Sequence, residues 1–422
     1  MASPEVTSAL SKLEDQSTSQ ASKPSGYTEI LDQITANAYS PQTSSNLAAF
    51  IDSILGESLG IVTARPLLGS AVEAIKSLQS TEARISVGTH ALHTLEARVV
   101  SFEEQDAQIR ELLADAYQEQ EDWLDAAKIL QGINLESSQR KISDEAKVRT
   151  WMRVCRLYLE DDDTTTAESY LNRAKNLIYK VNDPELILLF QLSQARILDS
   201  RFKFLDASSA YHTISFTANL DEEERMHTLS RAITCAVLAP AGPQRSRSLA
   251  KLYKDERASQ VEEFGILEKM FLDRLLSTEE VDKFAASLQP HQLAKTADGS
   301  TVLAKAVVEH NLLSASRLYN NIGRNELGQL LDLDAEKSEE IAATMLQQGR
   351  LSGRIDQIDG VIFFDGGEGS GEKTNSGQAD KVVGKDLRKW DAKVQGIAEE
   401  VERVASMLQA QYPEFATAHM IH

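Results

Sequence analysis

Several groups of residues have the types and spacing that chemistry uses. His90 with His93, and His419 with His422, stand three apart, the separation at which two imidazoles on one helical turn share a metal ion. The first pair falls on a helix of a repeat array with no third ligand beside it, and the second at the terminus, so neither is read as a metal site. Glu160-Asp-Asp-Asp163 offers carboxylates for calcium but lacks the glycine and the ligand spacing of an EF-hand loop, and reads as a solvated acidic turn. Cys155 and Cys235 are the only thiols; there is no Cys-x-x-Cys pair, no phosphate-cradling glycine loop and no Gly-x-Ser-x-Gly elbow. The one basic cluster, Gln244-Arg-Ser-Arg247 with Lys251 and Lys254, is either a solvated helix start or a docking patch for an acidic partner. No catalytic residue, cofactor site or metal site follows from these groups, and the chain reads as a non-enzyme.

What positions these groups is an internal repeat. Tyr117, Tyr158 and Leu198 are 41 and then 40 residues apart; Ala126, Ala167 and Ala207, and Leu130, Leu171 and Tyr211, follow at the same intervals. Each unit is a helix, a polar turn and a second helix opened by small residues. A two-helix period near forty is the pattern of an α-solenoid. Ala114, Cys155, Ala195 and Cys235 step by 41, 40 and 40, which puts both thiols where paired helices approach closely and makes them core residues. Upstream, helices are predicted from Asn46 as N-cap, after Pro66, and over Ile85 to Val99. Ser277 with Glu280 predicts a capping box. The solenoid is assigned residues 27–319, and the Ser- and Thr-rich residues 1–26 are expected to form a disordered tail.

Residues 320–364 predict a winged helix. Leu327, Leu330 and Leu331 carry one helix, Asp332-Leu-Asp334 breaks it, and Ile341, Met345 and Leu346 carry a second that stops at Gly349. Leu351 to Ile358 and Val361 to Phe364 then flank Asp359-Gly360, a two-residue hairpin signal. Glu336, Glu339 and Glu340 outnumber Lys337 on the second helix, so a duplex would be repelled. Val361-Ile-Phe-Phe364 is apolar on both faces, which makes Ile358, Val361 and Phe363 candidates for burial against another protein chain.

Residues 365–383 read as a flexible Gly- and Ser-rich loop. Over 384–410, Leu387, Trp390, Val394, Ile397, Val401, Val404 and Leu408 alternate spacings of three and four, a heptad seam suited to a helical bundle with other chains. The chain has 422 residues and a formal charge of −20, which disfavours nucleic acid and anionic membranes as partners. With no apolar run long enough to span a bilayer and no apolar signal core, an intracellular protein is expected.

Solenoid, winged helix and terminal helix together resemble the PCI family, shared by the proteasome lid, the signalosome and translation initiation factor three. The signalosome branch is indicated by the runs Ser101-Phe-Glu-Glu-Gln105, Glu121-Asp-Trp123, Leu157-Tyr-Leu-Glu-Asp-Asp-Asp163 and Gln244-Arg-Ser-Arg247. Further runs are Leu252-Tyr-Lys-Asp-Glu-Arg257, Gly265-Ile-Leu-Glu-Lys-Met270, Thr296-Ala-Asp-Gly-Ser300, Glu309-His-Asn-Leu-Leu-Ser-Ala-Ser316 and Ile355-Asp-Gln-Ile-Asp-Gly360. The resemblance implies a mostly α fold and a non-catalytic scaffold and substrate-sensing subunit of the complex that deneddylates cullins in cullin-RING ubiquitin ligases. Its implied partners are other PCI subunits, through the winged helix and C-terminal helix, and the isopeptidase subunits, with the ligase as substrate, in cytoplasm and nucleus. A proteasome-lid or initiation-factor subunit is the neighbouring alternative, and a nucleic-acid-binding PCI protein a further one. The Ser-rich start and the insertion 365–380 depart from the family.

Overall fold

The structure, a computed structural model, describes residues 3–14, 23–36, 42–56, 59–137, 141–295, 299–365 and 385–412. It divides into two compact units, Met1–Arg201 and Phe202–His422.

The first unit contains the helices α1 (Pro4–Glu14), α2 (Lys23–Ala36), α3 (Thr43–Ile54), α4 (Ile61–Lys76), α5 (Thr81–Leu95), α6 (Glu103–Glu119), α7 (Trp123–Gln131), α8 (Asp144–Glu160), α9 (Thr164–Lys175) and α10 (Pro184–Ser200). The expected disordered tail 1–26 is corrected by α1 and by the start of α2. Val6, Ala9, Leu10 and Leu13 recur on one helical face and join the core of α2 and α3, with Leu10 buried. At the ends of α1 the Ser3 N–H donates to Asn46 Oδ1 at 2.7 Å, and Ser53 Oγ donates to Glu14 Oε1 at 2.6 Å. Asn46 therefore lies inside α3 and is not its cap. Pro66 likewise lies inside α4 and does not precede it.

The repeat is packed at the positions its spacing selects: Ala114, Ala126, Cys155, Ala167 and Ala195 are fully buried. Helices α6, α8 and α10 have 17 residues each. They end alike, because Glu121, Asp162 and Phe202 take the left-handed conformation (φ 65°, 61° and 58°) at the same 41- and 40-residue steps. In the first two, the third residue beyond the helix donates back across the turn, Asp122 N to Tyr117 O at 3.0 Å and Asp163 N to Tyr158 O at 2.9 Å. This is a Schellman closure made without glycine, so the repeat carries no glycine at the position that usually reveals it.

The second unit begins with α11 (Phe204–Ile214), α12 (Glu222–Leu238), α13 (Pro243–Tyr253), α14 (Phe264–Phe271), α15 (Thr278–Ala285) and α16 (Val302–Leu318). The Ser277 N–H donates to Glu280 Oε2 at 3.3 Å, one half of the predicted capping box at the start of α15. Next come β1 (Asn321–Gly323), α17 (Arg324–Leu331), α18 (Ala335–Gln347), β2 (Gly353–Asp356), β3 (Val361–Phe364) and the long α19 (Lys385–Gln411). The strands form an antiparallel sheet in the order β1-β3-β2, with Ile322 and Ile355 both opposite Ile362. Leu327, Leu331, Ala342, Met345, Ile362 and Phe364 bury a common core with Leu312 and Leu313 of α16. This is a winged helix.

Two details sharpen that prediction. The turn between α17 and α18 uses Asp332 in the left-handed region, and Leu333 N donates to Gly328 O at 2.9 Å. A Cβ on Gly328 would lie 2.7 Å from that Leu333 oxygen, so the position requires glycine. The hairpin is not the two-residue kind expected. Asp356 pairs with Val361, and its Oδ1 accepts from the N–H groups of Ile358 (3.1 Å) and Asp359 (3.3 Å). That Asx turn ends β2 early and leaves residues 357–360 as a four-residue tip, with Gly360 at φ 64°. The predicted loop 365–383 lies outside the described residues but for its first.

Candidate functional site

Two surfaces predicted to meet partners are in view. Along α19, Trp390, Val394, Ile397, Val401 and Val404 are exposed, Trp390 by 66% and Val401 by 61%, and Leu408 is half-buried. Only the backbone of Leu387 is described. On a helix of 27 residues this is one continuous apolar stripe facing solvent, where such side chains would each gain about 1.5–3 kcal/mol on burial. The wing presents Ile358, 97% exposed at the hairpin tip, while Val361 and Phe363 are half-buried. The Arg354 guanidinium covers the Phe363 ring, 4.7 Å from its centroid, so part of that face is already occupied by the wing's own neighbour strand.

The second unit also holds a buried polar joint that the sequence did not announce. Its centre is Glu309-His310-Asn311 on α16, all buried. Glu309 receives both guanidinium arms of Arg350, from the loop after α18, with Nη2 to Oε1 at 2.9 Å, and its Oε2 accepts the Ala241 N–H at 3.0 Å. Asn311 Oδ1 accepts the Leu276 N–H at 3.0 Å, fixing the entry to α15. His310 Nε2 donates to Arg274 O at 2.9 Å, which leaves Nδ1 as the acceptor facing Arg245 Nη2 at 3.4 Å. The joint thus ties the helices before the winged helix to the winged helix itself.

Arg245 corrects the reading of its cluster. It is 2% exposed, neither solvated nor available for docking, and it donates to Ala239 O at 3.1 Å. Burial pulls its pKa down to about 10, opposed by the Glu309 and Asp273 carboxylates. Burial and the neighbouring Arg245 hold His310 at about 3, so it is neutral in the folded protein. An unfolded histidine titrates near ~6.5, so as the pH falls the unfolded state takes up this proton first. Stability from this group is complete above about pH 6.5 and declines below it, by about 2 kcal/mol at pH 5. His310→Asn is expected to lower stability at pH 7 yet flatten the loss between pH 7 and pH 5. Urea denaturation at three pH values measures this, and equal slopes in the two proteins would refute it.

Several of the remaining groups have structural roles. Cys155 is fully buried and its thiol is pushed up to about 12 by desolvation, far from a nucleophile. His90 Nε2 contacts Asp52 Oδ1 at 2.8 Å. Asp163 caps α9, accepting from Thr165 N at 3.2 Å and Thr166 N at 3.1 Å, and Glu160 pairs with Arg196 at 2.7 Å. His419 and His422 lie outside the described residues. Among the described residues no group of three or more His, Cys, Asp or Glu is placed to hold a metal ion.

Comparison with known proteins decides the family. The PSMD12/CSN4 N-terminal family model matches residues 5–223, and the PCI domain model matches residues 275–365, from α15 to the end of β3. COP9 signalosome complex subunit 4 of Emericella nidulans is 54% identical over 413 residues, covering 96% of this chain and 98% of that protein. The chain belongs to the COP9 signalosome complex subunit 4 family. Its relatives of the same name in Neurospora crassa and Dictyostelium discoideum are 49% and 43% identical, each over at least 97% of both chains. The helical array and the PCI winged helix described above fit the two family models that match this chain.

Proposed function

We propose that this chain is a non-catalytic scaffold and substrate-sensing subunit of a signalosome, the complex that deneddylates cullins in cullin-RING ligases. The observation that carries the reading is the apolar stripe of α19, Trp390 to Val404, left in solvent by a chain whose relatives are named as subunits of that complex. The stripe and the wing would be the contacts with other PCI subunits and with the isopeptidase subunits. The helical array would be the arm that meets the ligase, in cytoplasm and nucleus.

Nucleic acid is a poor partner for the same fold. On α18, Glu336, Glu339 and Glu340 stand against Lys337, whose ammonium already lies 3.7 Å from Asp334. No described helix is long and apolar enough to cross a membrane, and none is assigned a membrane role. Affinity purification of the tagged full chain, with mass spectrometry of what accompanies it, tests the proposal. Recovery of signalosome subunits with deneddylating activity supports it, and recovery of proteasome-lid or initiation-factor subunits instead would overturn it.

A further inference from the structure

In the first unit the end of α7, the loop 132–136 and the facing sides of α8 and α9 enclose a groove of about 820 Å³, the size of a ligand site. α8 gives it Lys147, Trp151 and Val154, which recur at i, i+4 and i+7 on one helical face, and α9 gives it Tyr170 and Arg173, with Asn176 at its cap. Both walls are built before any ligand arrives. On the α7 side Gly132 lies against the Arg110 guanidinium, where a Cβ would collide with Nη1. That guanidinium is fixed by buried Asp106 at 2.8 Å and donates to Ile129 O at 3.3 Å. On the α9 side the rings of Tyr158 and Tyr170 stack 6.2 Å apart at 11°, and Gln131 Nε2 donates to the Tyr158 hydroxyl, which ties this wall to the first.

Two cations open onto the groove. Arg173 is exposed and Lys147 half-buried, and among the described residues neither is engaged by a carboxylate. The Arg173 guanidinium lies over the Tyr170 ring, 4.9 Å from its centroid. That contact uses the face of the guanidinium and leaves its N–H donors, which lie in its plane, to a ligand. Glu136 is the one acid among the fifteen lining residues, so the lining carries two positive charges against one negative in a chain of formal charge −20. At physiological salt charges beyond about 8 Å are screened, and a ligand in the groove feels these cations more than the distant acidic surface. Two cations are too few to hold a phosphate backbone against that surface.

The aromatic residues narrow the ligand further. Trp151 and Tyr170 are only half-buried, so part of each ring is left to the groove. Lys147 and Trp151 are four residues apart on a helix, a rise of about 6 Å. In an extended peptide, side chains at i and i+2 point the same way and stand about 6.6 Å apart. A carboxylate two residues from an aromatic side chain therefore meets Lys147 while the ring lies on Trp151.

We propose that the groove between α7, α8 and α9 docks an extended segment of a partner protein in which acidic residues flank an aromatic side chain, the ring packing on Trp151 and Tyr170 and the carboxylates pairing with Lys147 and Arg173. The proposal goes beyond the assembly reading and does not depend on it.

The test uses the full chain and a fluorescein-labelled peptide Ser-Glu-Ser-Phe-Ser-Glu-Ser, followed by fluorescence anisotropy at physiological salt. Saturable binding is expected, with the Glu-to-Gln and the Phe-to-Ser counterparts each binding at least about tenfold more weakly. Lys147→Glu with Arg173→Glu is expected to raise the Kd at least about tenfold, whereas Lys175→Glu, exposed on α9 outside the groove, changes it by less than about threefold. Asn176→Trp puts an indole into the groove and keeps both cations, and is expected to abolish binding as well; it carries the test if the double reversal fails to fold. No saturable binding up to about 1 mM, equal binding of either counterpart peptide, or full binding by Asn176→Trp would each overturn the proposal. Tighter binding of a single-stranded RNA oligonucleotide, lost in the same variants, would also overturn it and assign the groove to nucleic acid.

Discussion

Glu309→Ala is expected to destabilise the second unit by about 3–5 kcal/mol, the cost of breaking a buried ion pair from one side. Glu309 is 3% exposed and neutralises Arg350, whose side chain is itself largely buried. Without it, Arg350 is left, among the described residues, with Ala241 O at 3.1 Å and Gln348 Oε1 at 2.7 Å, and the Ala241 N–H loses that acceptor. Arg245 also loses the carboxylate that does most to offset its burial. Glu309→Gln, which keeps an acceptor for Ala241, should cost clearly less. Lys337→Ala removes an exposed pair with Asp334 and should change stability by no more than about 0.5 kcal/mol. The shift of the urea midpoint read from the second unit checks the series. A Glu309→Ala protein as stable as Lys337→Ala would show that the joint is not what fixes the winged helix.

Val394→Asp with Val401→Asp is expected to abolish co-purification with partner subunits while the thermal transition of the isolated chain stays where it was. Both side chains are exposed, by 44% and 61%, so the isolated chain buries little at either position. In an assembled bundle each would put an unpaired carboxylate into an apolar seam, a cost of several kcal/mol per site. Pull-down from cells expressing the tagged variant, beside a melting curve of the purified protein, separates the two effects. Undiminished recovery of partners would remove α19 from the assembly contacts.

Much of this architecture was legible because periodicity reports burial. The steps of 41 and 40 residues placed Cys155 among buried alanines, and the leucines of α17 and α18 placed the winged-helix core. Features set by distant partners were not legible. Arg245 looks solvated beside Gln244 and Arg247, and nothing local says that His310, 65 residues away, receives it. β1 is three residues long, too short for a pattern, and exists because β3 offers it an edge. The hairpin followed Asp359-Gly360 in position but not in length, since the side chain of Asp356 had claimed two backbone donors first. For α1 the signal was present in Val6, Ala9, Leu10 and Leu13, and the surrounding serines and threonines masked it.

In α6 to α10 of the first unit, each helix packs mainly on its immediate sequence neighbours. Pulled from its ends, such a stack yields one helical hairpin at a time and closes again in the same order, because each unit's closure asks nothing of remote segments. The recurrent left-handed residues Glu121 and Asp162 mark the folds of that spring. The array can then give under load without losing its core.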